Sequence, residues 1–243
     1  AAIFGLCVGS FLNVVIYRTP LIMNYQWRKE IAWYLDTQDD FNKNAVHHIT
    51  NVIKEDIPFS LSFPPSTCPN CGHAIRFYEN IPIISWIILR GRCSDCQNRI
   101  SFRYPLVECI TAILSVLVVY TLGANLSGLF GLFYLWILIA LTGIDFDTQL
   151  LPDRLVFPLG MLGLAINTQN IFVSTSASIW GALLGFLSFW SIANLYALLT
   201  KKEGMGTGDF KLLGALGAWV GVGLLPLIIL LSAVFGSIVG LIL

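Results

Sequence analysis

From Leu155 to Thr200 the chain carries no Asp, Glu, Lys or Arg, and its one polar break is Asn-Thr-Gln-Asn at 167–170. A helix of roughly 20 apolar residues crosses the hydrocarbon core of a bilayer, so the stretch reads as one span out and one span back. Composition supports that reading. Of the 243 residues 56% are hydrophobic and 12% charged, with a mean hydropathy of +0.75, which is far from the balance of a soluble domain.

Seven apolar runs can be drawn, at 1–17, 105–122, 128–144, 155–171, 177–199, 210–222 and 223–243. They predict an all-α, polytopic transmembrane protein of about seven spans. Residues 1–17 form its first helix, 18–104 a polar insert, and 105–243 the membrane core. The first run has no initiating Met, no basic n-region and no cleavage site, so it reads as a helix that starts before residue 1 and not as a signal peptide. The chain also ends mid-run, so both ends are expected to continue in a longer protein.

Net charge is zero, which gives no reason to expect nucleic acid as a partner; the partner that composition implies is the lipid bilayer. If every span crosses, all 14 basic residues fall on one side. The opposite connections, at 123–128, at 167–176 and near Gly223, contain none. The positive-inside rule makes the basic side cytoplasmic. Two spans separate Asp145 from Asp209, so both acids are expected at cytoplasmic helix ends.

In the insert, Cys68 and Cys71 precede Cys93 and Cys96 by 21 residues counted between the pairs. Two C-x-x-C pairs with turn-forming interiors suit one tetrahedral zinc ion. In a reducing cytoplasm disulfides are the weaker alternative, and a redox C-x-x-C would occur once, beside a βαβ pattern that is missing here. Four thiolates leave no open coordination position, so this metal is expected to be structural. Cys7 and Cys109, in apolar runs, read as buried small hydrophobes. Trp27 to Leu35 reads as a short amphipathic helix, and His47 and His48 as surface residues.

A carboxylate at a membrane edge needs a reason, because burying it in hydrocarbon costs several kcal/mol on most scales. Asp147 and Asp153 read as solvated helix ends, and Lys211 as a headgroup anchor or a bias on its neighbour Asp209. Asp209 is different: it follows Gly204, Gly206 and Gly208 and begins a helix, where the dipole favours negative charge. Two carboxyls brought together share a proton, which is the aspartic-protease arrangement. The competing class is a proton or ion pathway, for which acids at one face and the absence of an inverted repeat are poor support.

Taken together, GSFLNVVIYRTP at 9–20, the four-cysteine block with ENIPIISWIILRGRC, SFRYPLVE at 101–108, IDFDTQLLPD at 144–153 and GMGTGDFKLLGALGAW at 204–219 resemble the type IV prepilin leader peptidases, which also N-methylate their product. The resemblance implies Asp145 and Asp209 as the catalytic pair, with Asp147 the rival for the first position. It implies cleavage of a short basic leader from prepilins or pseudopilins at the cytoplasmic face of the bacterial inner membrane. Methyl transfer from S-adenosylmethionine would follow. No strand followed by G-x-G-x-x-G exists to hold that cofactor. Asn13, Arg18 and Glu108 stand between cofactor contact and a packing or helix-end role, and no cofactor residue is assigned. A scaffold for pilus assembly that binds pilin without cleaving it is the third reading.

Overall fold

The computed structural model describes residues 1–37, 60–202 and 206–242. His47, His48 and Gly204 lie outside the described residues. Helices joined by turns make up the structure, with no strand among the described residues, and they fall into two compact units, Ala1–Gln149 and Leu150–Leu243.

The first unit contains α1 (Ala2–Thr37), the short α2 (Ile84–Ile88), α3 (Arg103–Leu122) and α4 (Leu126–Thr148). Helix α1 lies against α3 at Gly5 and Gly9. A Cβ on Gly5 would stand 2.8 Å from the Ala112 Cα, and one on Gly9 would stand 2.7 Å from the Glu108 Cα. One turn apart, these bare positions let the two backbones nearly touch, which is how helices associate in lipid, where apolar burial supplies no drive. Helix α4 joins them through buried Trp136, whose indole N–H donates to the Ser115 hydroxyl at 3.0 Å.

Helix α1 does not end where its apolar run ends. It continues to Thr37 and absorbs Trp27–Leu35, which the sequence suggests as a separate helix. From Leu21 to Thr37 there is neither glycine nor proline, so nothing in the backbone chemistry stops it. Cys7 is exposed and Cys109 half-buried, so neither is the buried hydrophobe expected. On helices of this composition an outward apolar side chain has lipid as its solvent.

The second unit contains α5 (Asp153–Asn167), α6 (Thr175–Thr200), α7 (Thr207–Val220) and α8 (Leu225–Ile242). Helices α6 and α7 run antiparallel, with Gly181 against Gly217 and Gly185 against Leu213. Helix α5 runs parallel to α7: Lys211 reaches Asp153 at their starts, and Asn167 reaches Ala218 at their ends. Asn167 is fully buried and fully used. Its amide donates to the Ala218 and Trp219 carbonyls at 2.9 and 3.3 Å, and its oxygen accepts the Phe172 and Val173 N–H groups at 3.0 and 3.2 Å.

The seven apolar runs thus become seven apolar helices, but not all are long enough to cross. Four meet the length and hydropathy of a span: Ala2–Leu35, Arg103–Leu122, Leu126–Thr148 and Thr175–Thr200. A fifth is reached if Thr207–Val220 and Val222–Ile238, bent by 120°, count as one broken span. Helix α5 has 15 residues and α7 has 14. At about 1.5 Å per residue each falls well short of the roughly 30 Å hydrocarbon core. Hydropathy overdraws both because it does not see their ends: Pro152 precedes α5, Asn167 closes it, and Gly221 at φ +75° closes α7.

Candidate functional site

In the first unit, the last turn of α4 presents Asp145 and Asp147. Residues two apart on a helix differ by about 200°, at about 100° per residue, so the two acids face different surroundings. Arg103, the first residue of α3, holds Asp147 through one guanidinium nitrogen at 2.6 and 2.7 Å from its two oxygens. Its other terminal nitrogen donates to the Gly143 carbonyl at 3.3 Å. Asp147 is therefore an exposed helix end, as expected, that is also ion-paired. Asp145 is exposed on a turn whose base, Ile144, is fully buried.

In the second unit, Asp209 is exposed in the first turn of α7, whose N-cap is Gly206. Here the dipole and the free N–H groups favour a carboxylate. Gly208 beside it is covered by Leu151, whose Cβ would lie 2.9 Å from any Cβ placed there. The Lys211 ammonium binds both oxygens of Asp153 at 2.8 Å and stands 5.5 Å from the centre of the Phe157 ring. Asp153, like Asp147, is paired.

The four cysteines come together. Their sulfurs all lie within 4.8 Å of one another, with Cys68–Cys96 at 3.8 Å and Cys71–Cys93 at 4.0 Å. Ligands at about 2.3 Å from a tetrahedral zinc stand about 3.8 Å apart, so the cluster can hold a metal ion of this kind. Two similar turns build it. In each, the first cysteine's carbonyl accepts the N–H of the residue after the second cysteine, Gly72 at 2.9 Å and Gln97 at 3.2 Å. Both of those residues have positive φ, +74° and +58°.

Hydrogen bonds from the Asn98 N–H and the Asn70 side chain pull the Cys96 thiol down to about 6. At Cys71 the His73 N–H pulls the same way, but burial and the three other sulfurs outweigh it and push that thiol up to about 12. Such a cluster resists full ionisation until a cation compensates it. Behind it, His73 lies 3.3 Å from both Glu79 and Ser94. The Ser94 hydroxyl and the Arg76 N–H hold the Glu79 carboxyl down at about 2.

The first unit also forms a partly open cavity of about 610 Å³ between α1, α3 and the cysteine turns. Asn13, Arg18 and Glu108, all buried, line it. Motif spacing gave no sign of the Arg103–Asp147 and Lys211–Asp153 pairs, whose partners are 44 and 58 residues apart.

A family model described as the bacterial peptidase A24 N-terminal domain matches residues 3–122, and one described as the type IV leader peptidase family matches residues 132–241. The chain is 46% identical over 239 residues to a prepilin leader peptidase/N-methyltransferase of Aeromonas hydrophila, covering 98% of this chain and 78% of that protein. It is 47% identical to the protein of that name from Stutzerimonas stutzeri, covering 99% and 78%. With its Neisseria gonorrhoeae counterpart the identity is 43% over 242 residues, covering 100% and 80%. No solved structure matches.

Proposed function

Because the chain belongs to the type IV leader peptidase family, an enzyme family, we propose that it removes the short basic leader of type IV prepilins or pseudopilins and then N-methylates the new amino terminus. The observation that carries this reading is the 43–47% identity, over nearly the whole chain, to relatives named for both activities. Cleavage takes place at the cytoplasmic face of the bacterial inner membrane, the side that basic residues favour, and within the second unit Lys211 on Asp153 puts the starts of α5 and α7 at one end.

Asp145 and Asp209 form the catalytic pair in this reading, within a peptidase core at 105–243. One carboxyl keeps its proton and donates it to the scissile carbonyl oxygen, while the ionised partner takes a proton from the attacking water. Water oxygen bonds to the carbonyl carbon. The carbon–nitrogen bond then breaks, and the nitrogen leaves with a proton from the pair. Arg103 on Asp147 supports Asp145 as the first acid, since a doubly bound carboxylate is poorly placed to exchange protons.

The four cysteines hold one structural zinc ion in the polar insert of residues 18–104. Bound S-adenosylmethionine would supply an electrophilic methyl group for the second reaction. Incubating purified protein with a detergent-solubilised prepilin and following mass tests the whole reading. Loss of the leader and then a gain of one methylene is expected; an intact prepilin, or cation flux in liposomes without hydrolysis, would overturn it.

A further inference from the structure

The cavity in the first unit has a feature that packing does not explain. Ile83 sits at φ 60°, ψ −48°, a conformation that a β-branched residue avoids. The Ile84 N–H bonds the Pro82 carbonyl at 2.5 Å, which makes Pro82-Ile83-Ile84 a γ-turn of the rare, strained, positive-φ kind. Glu108 holds it there: its carboxylate accepts the Ile83 N–H at 2.7 Å and the Ser10 hydroxyl. Strain of this sort persists where the surroundings over-determine it, and it gathers at ligand sites. Here it sets a buried carboxylate from α3 into the wall of a 610 Å³ cavity.

The other side chains of that wall define what would fit. Arg18 is buried, with its guanidinium donating to the Ser60 and Leu61 carbonyls at 3.0 and 3.3 Å. Asn13 donates to the Tyr104 carbonyl at 3.1 Å, and the Tyr104 and Trp86 rings also line the space. A buried carboxyl and a buried guanidinium in one cavity suit a ligand that carries both a cationic and an anionic group, and the aromatic rings suit a flat heterocycle. The volume is in the range of sites for ligands of nucleoside size.

We infer that this cavity binds the methyl donor, S-adenosylmethionine, with the Glu108 carboxyl as its anchor. The inference rests on the methyltransferase reading and adds the site to it. The transfer it serves is balanced: the lone pair of the neutral amino terminus forms the new nitrogen–carbon bond, the sulfur–carbon pair returns to sulfur, and the product ammonium gives a proton to water. Glu108 and Arg18 bind and orient in this scheme; neither needs to exchange a proton.

The test is calorimetric binding of S-adenosylhomocysteine to the full chain in detergent, for wild type, Glu108→Gln and Val14→Trp. Val14 lines the same cavity, and the tryptophan would fill it. Sharp thermal transitions and single gel-filtration peaks identify folded variants. Wild type should bind one equivalent, Glu108→Gln should bind at least tenfold more weakly, and Val14→Trp should not bind measurably. If Glu108→Gln does not fold, Val14→Trp decides the matter alone. Binding by the folded variants equal to wild type overturns the site while the methyltransferase reading stands. A wild type that neither binds the probe nor methylates removes that reading, and the site with it.

Discussion

Arg103 binds both carboxylate oxygens of Asp147, at 2.6 and 2.7 Å, and so occupies one of the two acids that close α4. Asp145→Ala and Asp209→Ala should each reduce leader cleavage by on the order of 10³-fold or more, the size of effect seen when a member of a catalytic constellation is removed. Asp147→Ala should keep cleavage within about tenfold and cost stability of only about 1 kcal/mol or less, because the pair is partly exposed. Cleavage rates on a detergent-solubilised prepilin check all three. Loss of activity in Asp147→Ala with Asp145→Ala active would move the first acid along the helix.

The sulfur cluster should carry about one zinc per chain by metal analysis, and Cys96→Ser should lose most of it. Gln97 offers a milder probe, since it holds a left-handed backbone without being glycine. Gln97→Gly should stabilise the cysteine turns by about 1 kcal/mol, read as slower metal release to a chelator. A faster release would argue against the strain.

Glu79 gives the cysteine turns an acid limit. Its carboxyl is held near 2 in the folded protein, chiefly by the Ser94 hydroxyl and the Arg76 N–H, against a reference of 4.5. A depressed carboxyl contributes stability above its unfolded value and loses it as pH falls towards the folded one. Protection of the Arg76 amide from exchange should therefore fall between pH 4.5 and about 2 in wild type. In Glu79→Gln it should be weaker at the upper end and nearly flat across that window. A steep decline in the variant would assign the acid sensitivity to another group.

Asn167→Ala should leave the half-buried Phe172 and Val173 N–H groups without their acceptor. Each such orphan costs about 1–3 kcal/mol, so a loss of roughly 2–5 kcal/mol is expected in reversible detergent unfolding. An effect within about 0.5 kcal/mol, the scatter of surface changes, would mean that water replaces the amide.

What could be read from the residues follows the range of the forces concerned. Apolar runs such as 177–199 located the helices because solvation by lipid acts on every residue of a run. The cysteines could be read because each turn needs only five neighbours, Cys68–Gly72 and Cys93–Gln97. Helix ends were less legible. Asn167 closes α5 through backbone carbonyls at 218 and 219, and α1 outruns its apolar run because nothing after Pro20 interrupts it. Partner choice was not legible at all: Arg103 and Lys211 counted only as positive charge for orientation, yet each is committed to one acid. Glu108 stood between cofactor contact and packing in the sequence, and its meaning depends on Ile83, which is 25 residues away and unremarkable in composition.

The closest sulfur pairs in the cluster join different turns, Cys68 with Cys96 and Cys71 with Cys93. An oxidant that reached these thiols without a metal between them would meet partners already poised to couple from one loop to the other. The resulting bridges would weld both loops shut and leave no donor for an ion. A divalent cation seated among the four sulfurs would stand between those partners and keep them apart.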